Sequence, residues 1–303
     1  MTYLDVVTGF LGSGKTTFLT RYIRWLKKSG IRACVIENEF GRAGVDGALL
    51  KTTGVTLREI SGGCVCCTLK VTLHQLLGEL SGHYDRILLE PSGLFCGDDL
   101  MDILHSPDCR VLPGMWACIV DPMALSSMND EDLAVLQSEM MQAGSVVASK
   151  TQLCSQEEPD SLSPLIARLL PAPAPVLWRE NWDDLSEDHF FPALQAAGTV
   201  DRPHPRRKFD HTSMFQSATI APREAFAEAP LRAALEKTLT QGGASVLRLK
   251  GTLRREQGGF WQVNVTPGCI NLVPQSGETV PALNVIGRGL HRKIILQLLE
   301  EAT

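Results

Sequence analysis

Gly9-Phe10-Leu11-Gly12-Ser13-Gly14-Lys15-Thr16-Thr17 decides the fold of this 303-residue chain. It matches G-x-x-x-x-G-K-[ST] in full. Glycines let the backbone curl so that successive N–H groups face one anion. The helix that follows presents its positive end to the same anion. Lys15 reaches β- and γ-phosphates, and the Thr16 hydroxyl ligates Mg2+. The flanks agree. Residues 3–7 are a short apolar run, and Phe18, Leu19, Tyr22, Ile23 and Leu26 form a helical stripe. The stretch therefore predicts a nucleoside triphosphate site built from Gly9, Gly12, Ser13, Gly14, Lys15, Thr16 and Thr17. It does not choose between GTP and ATP. A chance glycine-rich turn is the alternative, and it would have to reproduce every position and both flanks.

Outward from the loop, apolar runs of strand length recur at 33–36, 86–89, 117–120 and Ser145–Ala148. Helix-compatible stretches separate them, among them Thr68–Leu80 and residues 130–143. Strands buried on both faces read as continuous apolar runs. The pattern predicts an α/β fold: a P-loop NTPase domain with a mostly parallel sheet flanked by helices. Val176–Trp178, after a proline-rich stretch, is its expected last strand. Residues 198–208 shift to Gly, Pro and Arg and read as a linker. Beyond them, strands are expected at 214–220, 245–250, 259–265 and 283–286, with helices at 222–239 and 290–301. The expected division is residues 1–197, a linker at 198–208, and a smaller α+β domain at 209–303.

Composition narrows the function classes. Hydrophobic residues make up 44% and charged residues 21%, an ordinary globular balance that excludes disorder and small disulfide scaffolds. No run of about 18 apolar residues occurs, so no membrane-spanning helix is expected. Asp5 interrupts the only stretch resembling a secretory signal. A cytoplasmic protein is expected, and its nine cysteines then read as thiols. The net charge of −5 divides unevenly. Residues 1–196 hold 15 basic against 25 acidic side chains, and the remainder is basic. That remainder lacks interleaved aromatics, so docking within the chain is expected rather than nucleic acid.

Three carboxylates and three thiols supply candidate chemistry. Glu37 and Glu39 end the second strand, and Glu90 follows Leu88-Leu89. Ligands of open α/β sheets sit at the carboxyl ends of strands, so all three can lie near the phosphates. Strand ends that simply meet solvent also carry acids. Ser61-Gly62-Gly63-Cys64-Val65-Cys66-Cys67 places three thiols within four residues beside a glycine turn. Thiolates suit Zn2+ and related ions, and three of them leave a coordination position open. Buried turn cysteines and a redox pair are the alternatives. The other cysteines are dispersed and read mostly as core.

These motifs together resemble the CobW-like P-loop GTPases associated with metal delivery. GFLGSGKTT, ENEFGRAGVDG, GGCVCC and LLEPSGL carry the resemblance, and Arg248-Leu-Lys-Gly251 and Val285-Ile-Gly-Arg288 extend it into the second domain. The resemblance implies a slow GTPase acting as a metallochaperone. Lys15 and the loop amides would bind phosphates, and Thr16 with Glu39 would hold Mg2+. Glu90 would position water, and Lys150 would lie at the base. Cys64, Cys66 and Cys67, with Glu37, would hold a divalent transition metal, Zn2+ or Co2+. The implied partner is a client metalloprotein or a cofactor-synthesis enzyme, cobalamin synthesis included. Neither membrane nor nucleic acid is implied, and an oligomer is allowed. A second reading is a nucleotide-dependent activator or regulator of a partner metalloenzyme with little hydrolysis.

Departures from the family pattern bear on specificity. Asn-Lys-x-Asp, which reads guanine in the family, is Ser149-Lys150-Thr151-Gln152 here. A neutral Gln lacks the charge that accepts both hydrogen bonds of the guanine edge. Arg42 stands where the family carries an acid, and the family's histidine-rich segment is absent.

Overall fold

A computed structural model describes residues 1–37, 53–59, 68–91, 97–155, 157–203, 215–277 and 280–302. The described residues divide into two compact units, 1–203 and 215–302.

The first unit is a seven-stranded parallel sheet flanked by helices. Its elements run β1 (Tyr3–Thr8), α1 (Lys15–Lys28), β2 (Ala33–Glu37), β3 (Thr56–Glu59), α2 (Thr68–Leu80) and β4 (Arg86–Glu90). They continue with α3 (Gly97–Leu104), β5 (Leu112–Val120), α4 (Asp130–Met140), β6 (Ser145–Ala148), α5 (Leu162–Leu169), β7 (Val176–Trp178) and α6 (Glu187–Ala197). The strand order is β3-β2-β4-β1-β5-β6-β7. Each expected strand is present, and the order places β1 centrally. Its carboxyl end, where the phosphate loop begins, is therefore flanked by β4 and β5.

Side-chain alternation along the strands builds two cores. Leu4, Val6, Ile36, Leu89, Cys118 and Val146 pack on one face with helices α2 to α5. Val7, Val35, Leu88, Ala117, Ile119 and Val147 pack on the other, against α1 and α6. Phe18, Tyr22 and Trp25 of α1 meet Phe190 and Phe191 of α6 there, with Tyr22 and Phe191 centroids 5.0 Å apart. This face also buries a polar group. Asp5 is fully buried in β1 and accepts from Arg86 Nη1 at 2.6 Å, Met115 N at 2.8 Å and the Tyr22 hydroxyl at 2.8 Å. Burial pushes its carboxyl above the usual range, and the Arg86 guanidinium opposes that push.

Several elements differ from expectation. β3, sequence TLRE, has no apolar run because it lies at the sheet edge and pairs only with β2. Part of the expected linker is bound into the first unit. Trp116 N donates to Gly198 O at 3.1 Å, and Val200 N donates to Gln142 O at 2.9 Å. The Arg202 guanidinium, almost fully buried, donates to the carbonyls of Met141, Ala143 and Pro173 at 2.7, 2.9 and 2.6 Å. Its charge is directed at helix-end and turn carbonyls.

The second unit is mainly an antiparallel sheet with two helices. Its elements are β8 (Gln216–Ile220), β9 (Ala225–Phe226), α7 (Glu228–Gln241), β10 (Ser245–Arg255), β11 (Phe260–Thr266), β12 (Cys269–Gln275), β13 (Ala282–Arg288) and α8 (Arg292–Glu300). The strand order is β12-β11-β10-β13-β8, with β9 alongside β10. Leu249, Leu253, Val263 and Val285 from the sheet close on Leu231, Leu235, Ile295 and Leu299 of the helices. The helix expected from residue 222 starts at Glu228, because Ala225 and Phe226 are held as a strand opposite Arg254 and Arg255. β12 has no counterpart among the expected strands; its polar outer positions and Pro274 suit an edge.

Candidate functional site: a phosphate loop between two sheet ends

The loop leaves β1 through Gly9, whose φ of +138° is costly for any other residue. A Cβ there would also run into the Ile119 carbonyl oxygen of β5. Gly14 closes the loop at φ +98° as the cap of α1. No side chain caps that helix start, and its first turn holds no acid. The unsatisfied N–H groups and the positive end of the helix dipole are thus left for an anion.

The residues present fit a bound phosphate chain. Ser13 is 2% exposed, and its hydroxyl has no hydrogen-bond partner among the described residues. Lys15 is buried, and its ammonium donates to Gly9 O at 2.7 Å and Phe10 O at 3.2 Å. It lies inside the loop whose anion it is suited to neutralise. Thr17, expected among the binding residues, is exposed one position further on.

Hard oxygen donors stand beside the loop. The Thr16 hydroxyl donates to Glu90 Oε1 at 2.9 Å, and both residues are buried. Donating its proton leaves the hydroxyl's lone pairs for a cation, and such a donor set suits Mg2+. The sheet register sets Glu37 opposite Glu90 across β2 and β4, so the backbone brings these two candidates to one strand-end row. Glu39, Cys64, Cys66 and Cys67 lie outside the described residues, as do Arg42 and Cys96. Among the described residues, no group of three His, Cys, Asp or Glu is placed to hold a metal ion. Cys34 and Cys118 sit in the core as expected, and burial pushes the Cys34 thiol up to about 12.

The opposite side of the loop carries Lys150, expected at the base, together with residues that the sequence does not single out. Lys150, at φ +55°, donates to Asp121 Oδ2 at 2.6 Å. Asp121 ends β5 and caps the following turn by accepting from Met123 N. Lys150 follows β6, so the pair ties two neighbouring strand ends. The Trp182 ring and the Ser149 side chain flank the space that a Gly14 Cβ would occupy. Gln152 is exposed on the turn just after Lys150. Asp121 and Trp182 are far from the motif in sequence; an acid directly after an apolar strand is the usable signal for Asp121.

A family model described as CobW/HypB/UreG, nucleotide-binding domain, matches residues 4–174. The Escherichia coli zinc chaperone YeiR is 36% identical over 168 residues, 54% of this chain and 50% of that protein. The Pseudomonas aeruginosa zinc chaperone CobW is 33% identical over 169 residues, 52% of this chain and 41% of that protein. The chain thus spans about half the length of these relatives or less. A crystal structure of Zn(II)-bound YjiA GTPase from E. coli aligns at 20% identity and a TM-score of 0.44, covering 100% of this chain and 99% of that one. With more than half of its length matched by the family model, the chain belongs to the CobW/HypB/UreG family.

Proposed function

We propose that the chain is a GTP-hydrolysing metallochaperone, which takes a divalent metal as cargo on Cys64, Cys66 and Cys67 and passes it to a client protein or cofactor-synthesis enzyme. The observation that carries this reading is the joining of a phosphate loop to the cysteine run. The run lies between β3 and α2, so the strand next to β2 leads into it. Similarity to proteins named zinc chaperones supports the same reading. In this proposal residues 1–197 form the nucleotide domain, residues 198–208 the connection, and residues 209–303 a domain that meets the client.

Each residue has a stated task. The loop amides and Lys15 neutralise the phosphates, and Mg2+ adds charge neutralisation when bound. Thr16, oriented by Glu90, supplies a ligand oxygen, with Glu39 as a second. Glu90 also positions the water whose oxygen bonds to the γ-phosphorus as the bridging P–O bond breaks. Glu37 joins the three thiolates around the cargo. A test reads the thiolates directly. Co2+ bound to the protein should show intense sulfur-to-metal charge-transfer absorption. Replacing all three cysteines with serine should abolish that band and leave nucleotide binding intact. A band that survives the triple replacement would remove the cargo assignment.

Base selection follows from Gln152. Without a carboxylate at that position, preference for GTP over ATP should stay below about a hundredfold. Gln152→Asp should raise it, because one charged acceptor can then take both guanine edge donors. Competition binding with the two triphosphates measures this. A preference of several thousandfold in the unaltered protein would mean that another segment reads the base.

A further inference from the structure

Beneath the phosphate loop lies an acid that the mechanism above leaves unused. Glu139, in the last turn of α4, is 1% exposed, and among the described residues its carboxyl oxygens make no full hydrogen bond, only an approach to the Gly9 amide. Its backbone is pinned to the root of the loop. The Thr8 hydroxyl, one residue before Gly9, donates to Glu139 O at 2.9 Å, and the Trp116 indole donates to Thr8 Oγ1 at 3.2 Å. The groups facing the carboxyl are the Lys15 ammonium from α1, the Gly9 amide and the Cys118 thiol from β5. A buried carboxylate and a nearby ammonium attract each other strongly. The Lys15 ammonium nevertheless donates to two loop carbonyls rather than to Glu139.

We propose that Glu139 is a positioning residue of the phosphate loop: as a neutral acid it leaves Lys15 directed at the phosphate, and on ionising it draws Lys15 down and opposes the anion. Burial supports the neutral form. It pushes the Glu139 carboxyl up to about 8, against the pull of Lys15 and the Gly9 amide. Burial also pushes the Cys118 thiol up, so that group stays neutral across the same range. Raising the pH through about 8 therefore places a negative charge under the loop. If only the neutral form binds, affinity is reduced by the fraction that remains neutral.

The inference rests on the phosphate-loop part of the proposed function, and Glu139→Gln tests it. Gln keeps the shape and cannot ionise. Dissociation constants for a non-hydrolysable GTP analogue with Mg2+ are measured for both proteins from about pH 6.5 to about pH 9, either side of the titration. The wild-type to variant ratio cancels titration of the nucleotide, and it should rise about tenfold between about pH 7 and about pH 9. A ratio flat within about twofold would overturn the role of Glu139 while leaving the loop assignment standing. Failure of both proteins to bind at any pH would overturn both. Should the variant not fold, calorimetry of the wild-type protein at about pH 8.5, in buffers of different ionisation enthalpy, decides the same question. Proton uptake on binding is the expected result, and no uptake overturns the proposal. A merely structural role for Glu139 would change neither the slope with pH nor the proton count.

Discussion

Lys15→Ala should weaken triphosphate binding by at least about a hundredfold, the loss of charge-assisted bonds to a buried anion at about 1.5–3 kcal/mol each. The prediction follows from where the ammonium sits. It lies inside the loop on the Gly9 and Phe10 carbonyls, within reach of any anion the loop amides gather. Removing it leaves the helix end and the amides, which attract phosphate without a full charge. The fold should survive, since Lys15 belongs to neither hydrophobic core of the first unit. Isothermal titration with a GTP analogue, alongside circular dichroism, separates lost binding from lost folding. Binding as tight as wild type would remove the phosphate-loop assignment itself.

Arg86→Met should cost about 3–5 kcal/mol of stability, as expected when one partner of a buried ion pair is deleted. Asp5 is fully buried, and Arg86 is its only cationic partner among the described residues. Without the guanidinium, the carboxylate keeps the Tyr22 hydroxyl and the Met115 amide but loses its neutralising charge. Adding Asp5→Asn should restore more than half of the loss, because no uncompensated charge then remains inside the sheet. Denaturant unfolding of the two single variants and the double variant measures the coupling. Purely additive losses would show that the pair acts by packing alone.

The central strands are legible in the sequence because each is buried on both faces and therefore reads as an unbroken apolar run. β4, β5 and β6 are of this kind, and β1 departs from it at the buried Asp5. Two of the four edge strands carry no such signal. β3 and β12 each pair on one side only, and their sequences TLRE and CINLVPQ look like loop. α2 is legible to its ends, whereas α4 stops at Met140, short of the expected residue 143. The phosphate loop is legible because its chemistry is local: nine consecutive residues carry both the turn and the charge. Asp121, Trp182 and Glu139 reach the same place through the sheet order, from positions more than a hundred residues away. Glu139 does leave a trace. Val135, Leu136 and Met140 form the buried stripe of α4, and Glu139 falls within it three residues after Leu136. An acid on an apolar helical stripe is a signal of buried chemistry, read too easily as part of a solvated face.

Gated metal transfer is tested most directly by metal affinity in three nucleotide states. A competition titration with a chromophoric chelator, using Zn2+ and then Co2+, is run without nucleotide, with the diphosphate, and with a triphosphate analogue. Thiolate ligation releases protons, so all three are compared at one fixed pH. Because the cysteine run follows the strand beside β2 and leads directly into α2, triphosphate binding is expected to bring the thiolates together. Metal affinity should then be at least about fivefold tighter with the triphosphate analogue than with the diphosphate, the lower end of ordinary coupling between two sites. Equal affinity in all three states would contradict nucleotide-gated transfer, even with the thiolate ligands confirmed.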